Sequence, residues 1–513
     1  MSASRLAKAA IVIPKRIERG PTDILKALAS TIKHVPSEPD RLLQDDPYLL
    51  PIRPSDRNFY SLSKLSGIST AKFLLHKHPE LFYRDDSEPK VRTFLPPEEF
   101  TAEMEFTEDD IKWCIENNDP VNAIVAYNAL TKSDVKLSDE TLLNFFELLC
   151  YSNEDKLYDL VEIQKSCFSK NSDRHLVNQT WNKTGLASKI FNEIKEDLDP
   201  PRVYSAMIAG LSKFNEHATA KQVFDDFKEF HANEGLYACA YDGLLASVPN
   251  LNSSVSTAHE AVDLIVRHME EHLVRPNLRV FNSILTCYRR FVCDEETCRK
   301  AFNLLNDMRS LNIDPSLFTF INVINIICRS RQNYNKFGNI VPQLLDIVNS
   351  DDSILSIRDD RDPQYLPIGM RIFASQLNSL QLANKLHKVY LKNPNLFIHG
   401  GQKQGYLDNY FKLIVTTESM DNIWKFYTAY VPMNFRPSAD SYDALAEALD
   451  LYQADPKIVK KVGEDIVNFR LNDRIQNDSI FRKDPEYLEL VEQSLMTKEE
   501  RISKQREKWN NTN

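Results

Sequence analysis

One local pattern recurs seven times between Ala187 and Tyr430: a small or aliphatic residue, an apolar residue three positions on, its neighbour and, in every copy but the one at Ala261, another apolar residue three later. These offsets trace one face of an α-helix. The copies begin at Ala187, Ala220, Ala261, Ala301, Val341, Ala383 and Ile423, with starts 33, 41, 40, 40, 42 and 40 residues apart. A single globular core has no reason to count in a fixed period, whereas a stack of helical units does. An earlier copy, Ala123-x2-Ala126-Tyr127-x2-Leu130, places the start of the array shortly after residue 100.

Each repeated helix alternates with a second kind, opened by an aromatic residue and rich in small polar ones: Tyr204 to Lys213, Tyr241 to Leu245, Phe281 to Arg290 and Phe320 to Arg329. Pro201, Pro276, Pro315 and Pro437 precede or open several of them, where a missing N–H costs least. The unit is therefore an αα-hairpin with a proline-marked junction, and the fold class expected is all-α, a right-handed α-solenoid of stacked helix-turn-helix repeats. At 513 residues the chain exceeds the size at which one core keeps growing, which agrees with a solenoid.

Composition removes most enzyme classes. The chain has 12 glycines, where ordinary usage of roughly 7% would give about 36, and phosphate-cradling loops consume glycine. No G-x-x-x-x-G-K-[ST], G-x-G-x-x-G, G-x-S-x-G or H-E-x-x-H occurs. No catalytic residue, cofactor, metal site or small-molecule substrate is expected. The eight cysteines, with no C-x-x-C, read as thiols in or near a helical core; Cys293 and Cys298 have no second ligand pair at metal spacing. No apolar run approaches the ~20 residues that cross a bilayer, so no membrane partner is expected.

Residues 1–100 read as an irregular, proline-rich extension. Its first ten residues, basic and rich in Ser and Ala with no acid before Glu18, have the character of a short mitochondrial presequence. Residues 101–200 carry the first repeats with an insertion at about 152–184, 201–350 the central repeats, 351–470 degenerate ones, and 471–513 a helical cap with a charged tail. Net charge is −10, yet between Arg275 and Lys336 ten Lys or Arg face five Asp or Glu. A local basic surface on an acidic chain implies a bounded contact rather than general polyanion binding.

The stretches Arg275-Pro276-Asn277-Leu-Arg-Val-Phe281-Asn282-Ser283-Ile-Leu285 and Ala301-Phe-Asn-Leu-Leu-Asn-Asp-Met308, closed by Pro315-Ser316, resemble the pentatricopeptide repeat in order, spacing and both helices. Together with Ile11 to Lys15, Gln44 to Tyr48 and the helix Leu142 to Tyr151, they resemble the pentatricopeptide repeat domain protein 3 family of the animal mitochondrial small ribosomal subunit. That resemblance implies a structural, non-enzymatic ribosomal protein of the mitochondrial matrix. Its implied partners are small-subunit rRNA, other mitochondrial ribosomal proteins and incoming mRNA, and its role the support of translation.

A pentatricopeptide array reads one base per repeat through the residue after the first-helix aromatic and the last residue of the repeat. Here the former are Ser205, Asp242, Asn282 and Ile321, and the latter Tyr237, Asn277 and Ser316. Asn282 with Ser316 is the pair suited to a pyrimidine. Ile321 offers no hydrogen bond and Tyr237 is out of pattern, so no contiguous reading tract is expected. Nine positions from the aromatic fall Lys213, Arg290 and Arg329, interrupted by Asn250. A basic residue at one register on successive helices predicts a column that follows phosphates without reading bases, thickened by Arg275, Arg279, Arg289 and Arg331. Two other readings share these features: a free organellar RNA-processing or stability factor, which Ile321 and Tyr237 oppose, and a protein-only scaffold, which would be indifferent to charge reversal along the column.

Overall fold

The computed structural model describes residues 20, 22–31, 54–78, 81, 100–101, 103–133, 135–153, 180–252, 254–291, 294–350, 355–397, 400–431, 435–469, 471, 475 and 479–495. The presequence-like start, most of the insertion at 152–184, Cys293 and the charged tail lie outside them. Every regular element among the described residues is helical. Two compact units divide the chain. The smaller, Met1–Asp45, carries α1 (Asp23–Ser30), and the larger, Asp46–Asn513, opens with α2 (Pro54–Lys77).

Hairpins then follow in chain order. They are α3–α4 (Glu108–Glu116, Pro120–Lys132), α5–α6 (Asp139–Tyr151, Leu186–Ile194), α7–α8 (Pro200–Lys213, His217–Phe230), α9–α10 (Ala238–Leu251, Val255–Glu271) and α11–α12 (Leu278–Arg290, Glu295–Ser310). Next, α13 (Leu317–Cys328) pairs with a broken second helix, α14 (Arg331–Phe337) and α15 (Ile340–Ser350). The series continues as α16–α17 (Tyr365–Arg371, Leu380–Lys392), α18–α19 (Gly400–Thr417, Met420–Tyr430) and α20–α21 (Ala439–Leu451, Pro456–Asn468), and α22 (Pro485–Leu495) packs on α21. Each first helix packs against those of the hairpins before and after it, which is what makes the array a solenoid rather than a string of separate pairs.

The pattern that opened the sequence lies on the second helices and is their buried face. Ala187, Ile190, Phe191 and Ile194 are buried, as are Ala220, Val223, Phe224 and Phe227, and Val341, Leu344, Leu345 and Val348. One copy shifts by three residues. In α10 the buried set is Ala258, Val262, Ile265 and Met269, while Leu264 is 61% exposed. The unit therefore starts at Ala258 rather than Ala261, because only that register carries the stripe on to Met269.

Hairpin turns and repeat ends use local chemistry. Asn118, Asn215, Leu273, Asn312 and Gln453 take positive φ just past a helix. The following N–H reaches back to the last turn, as Val274 to Met269 O (2.9 Å) and Ile313 to Met308 O (2.8 Å), so that terminal carbonyls are satisfied. Pro276, Pro315 and Pro437 each precede an N-cap: Asn277 accepts from Val280 N (3.0 Å), Ser438 from Ser441 N (3.3 Å), and Ser316 forms a capping box with Thr319. Pro201 instead lies within the first turn of α7. The repeat-ending residue is thus committed to starting the next helix.

Between α16 and α17 the chain widens into a π-turn, Ile372–Gln376. It lies at the repeat where the regular sequence pattern weakens. No helix among the described residues is long and apolar enough to cross a membrane.

Candidate nucleic-acid interface

The first helices stack in one register, so the ends of their last turns fall side by side. Lys213 ends α7, Arg289 and Arg290 end α11, and Arg329 caps α13. A helix terminus leaves carbonyls without intrahelical partners, and these cations find them on the neighbouring helix. Lys213 Nζ donates to Tyr151 O at the end of α5, and Arg329 Nη1 to Arg289 O at the end of α11. Arg275 Nη2 does the same for Leu311 O, just past α12, at 2.8 Å. A cation there also meets the negative end of the helix dipole. At the interrupting position, Asn250 bonds His217 (2.8 Å), whose imidazole is held below its ordinary value by burial and then by Arg290.

The arginines converge most closely around α11, α13 and α16. Arg289 is half-buried with its guanidinium 5.6 Å from the Phe318 ring centre. Burial, and then Arg371, Arg329, Arg290 and Arg361, push it down to about 10. Its Nη1 is buried with no hydrogen-bond partner. Arg290, Arg329, Arg331 and Arg371 are exposed, and none of these four, nor Arg289, forms an ion pair among the described residues. Like charges this close repel unless an anion joins them. Arg371, which ends α16 beside the π-turn, was invisible to the repeat register because the pattern breaks there.

Arg279 behaves differently. It begins the helix that Arg289 and Arg290 end, and its Nε pairs with Asp242 (3.2 Å) and its Nη1 with Asp360 (3.5 Å). Of the expected column, then, Arg289, Arg290 and Arg329 come together, Lys213 lies further along the stack at α5 and α7, and Arg275 and Arg279 belong to helix junctions.

The base-contact candidates face inward. Asn282 and Ser316 are both 0% exposed. Asn282 Nδ2 donates to Ser316 Oγ (3.3 Å) and Asp359 Oδ2 (2.7 Å), and its Oδ1 accepts from Thr319 Oγ1 (2.6 Å). The pairing of Asn282 with Ser316 has the expected geometry, but no polar edge of either reaches the surface. The equivalent positions are engaged too. Ser205 Oγ accepts from Tyr237 N (2.8 Å), and Asp242 accepts from Ser283 Oγ and Arg279. Ile321 is buried and apolar, against Gly369.

Stacked αα-hairpins, the first helices from α5 onward each carrying a buried aromatic and several ending on a cation beside the next, define a pentatricopeptide-type α-solenoid. Residues 22–216 match the family described as "Small ribosomal subunit protein mS39, PPR". Small ribosomal subunit protein mS39 of Drosophila melanogaster is 26% identical over 465 residues, spanning 90% of this chain and 70% of that protein. Its counterpart in Danio rerio is 27% identical over 462 residues, spanning 86% and 67%. The chain is thus similar to small ribosomal subunit protein mS39 over most of its length. Among solved structures, the pentatricopeptide repeat protein PPR10 from maize aligns over 93% of this chain and 68% of its own, at 11% identity and a TM-score of 0.36.

Proposed function

We propose that this chain is a structural component of the mitochondrial small ribosomal subunit that holds small-subunit rRNA by its phosphate backbone, seated among other ribosomal proteins. The observation that carries the RNA contact is the group Arg289, Arg290, Arg329, Arg331 and Arg371. It is drawn from successive hairpins and lacks ion-pair partners among the described residues, and a polyphosphate is the anion whose spacing suits such a row. Similarity to small ribosomal subunit protein mS39 supports the assembly. Reading positions turned inward favour a backbone contact over sequence recognition, which sets the free RNA-processing factor aside. Incoming mRNA, equally a single-stranded polyanion, is the second RNA within reach of the same chemistry. Sedimentation of a mitochondrial lysate tests the assignment: co-migration with small subunits is expected, and a protein confined to light fractions refutes it.

A further inference from the structure

The junction before α16 is unlike its neighbours. Residues 272–277 connect α10 to α11 and 311–316 connect α12 to α13, whereas 351–364 separate Ser350 from Tyr365. The described part of this longer junction does not hang free. It crosses back over the starts of α11 and α13, the helices that carry Asn282 and Ser316.

Its contacts are specific. Asp359 is 2% exposed, and its Oδ2 takes the Nδ2 proton of Asn282 at 2.7 Å. Arg361 grips the same carboxylate with Nε and Nη2, both at 2.8 Å, and its Nη1 donates to Ser283 Oγ at 2.9 Å. The Arg361 guanidinium lies 4.9 Å from the Phe318 ring centre. Asp362, fully buried, accepts from the backbone N–H groups of Phe318 (2.8 Å), Arg358 (2.8 Å) and Asp359 (2.9 Å). A buried carboxylate is tolerated only when its lone pairs are filled, and both are. An arginine on an aromatic face beside a carboxylate on an amide is also the set of contacts a nucleotide would offer: a flat π-cation surface, and an acceptor for Asn282.

We propose that Asp359–Asp362 is a built-in plug. It supplies the acceptor a pyrimidine would present to Asn282, and so closes the repeat in which Asn282 and Ser316 form an intact reading pair. The inference rests on the reading above that this array faces RNA. Its consequence is that the site is latent: remove the plug, and the repeat regains a preference among bases without any new residue.

The test uses the full chain and labelled 15-nucleotide oligo(rC), oligo(rU) and oligo(rA). The wild type is expected to bind all three alike. The D359A/R361A double variant is expected to favour a pyrimidine oligomer over oligo(rA) by about tenfold, and adding N282A should abolish that ratio. The ratio matters rather than the affinity, since a change of charge alters RNA binding alike for all three oligomers. Should the double variant unfold, Asp359→Asn, which keeps the volume but places a donor against Asn282 in one orientation, carries the test with an expected ratio of about threefold. A folded, RNA-binding plug variant that still binds the three oligomers alike overturns the plug alone. Binding of no RNA by wild type or variant overturns the RNA-facing reading and the plug with it.

Discussion

Counterion release gives the backbone-contact reading a number. Consider the triple variant R290A/R329A/R371A, three exposed arginines without ion-pair partners among the described residues. Each phosphate neutralised by a bound cation contributes about −0.7 to the slope of log affinity against log salt for a single strand. Losing three such contacts makes the slope shallower by about 2, so a rise from about 50 to about 200 mM salt should weaken the wild type about sixteenfold more than the variant. The matched control is R299A/K385A/K460A, which removes the same charge from cations already paired with Glu295, Asp346 and Glu486. Net charge changes equally in the two variants, so a nonspecific field effect would change both slopes equally. Fluorescence anisotropy over a salt series measures each slope. Equal slopes for variant and control, or a slope unchanged from wild type while affinity falls, refute direct phosphate contact by these arginines.

Two further outcomes test the packing. A Cβ on Gly210 would sit 2.5 Å from Cys150 O, whereas one on Gly405 meets nothing within 4 Å; Gly210→Ala should destabilise the α5–α7 contact by about 1–2 kcal/mol, overpacking exceeding the helix-propensity gain, and Gly405→Ala should stabilise α18 by about 1 kcal/mol. Hydrogen exchange at those helices reads both, and a shared sign refutes the reasoning. His387, buried among Tyr390, Tyr406, Tyr410 and Tyr430, is held by burial at about 4 against an ordinary 6.5. Below 6.5 the unfolded chain takes the proton and the native one does not, so stability is complete above 6.5 and falls by about 3 kcal/mol as pH drops towards 4. Exchange at α17 and α18, corrected for intrinsic pH dependence, should show that loss in the wild type and not in His387→Phe.

The helices were legible because a period of 3.6 records a buried face directly, and the aromatic and small positions of both helix types fell where expected. The slip at α10 shows the limit. Ala258-x2-Ala261-Val262 and Ala261-x2-Leu264-Ile265 both satisfy the first five positions of the pattern, and only packing beyond them, at Met269, separates them. For the candidate interface, Arg290 and Arg329 were readable from register, and Arg289 from its place beside Arg290. Their partners were not, since Lys213 meets Tyr151 and Arg275 meets Leu311 across the stack. Arg361 and Arg371 escaped because they belong to a junction and to a short helix that runs into the π-turn, neither of which keeps the period. The signal available was Asp359-Asp360-Arg361-Asp362, a dense charge cluster just before a helix.

The inward reading positions and the unpaired arginines bear on one energetic choice. For a base to be read at Asp242 or Asn282, it must replace hydrogen bonds already made to Arg279 or Asp359, and bonds with a charged partner are worth about 1.5–3 kcal/mol each. A phosphate arriving at Arg290 or Arg371 breaks no ion pair among the described residues and relieves repulsion that is already present around Arg289. Binding energy therefore flows to the contact that ignores sequence. An array arranged this way can hold a fixed RNA at any sequence its shape admits, and specificity has to come from the neighbours that position the RNA against it.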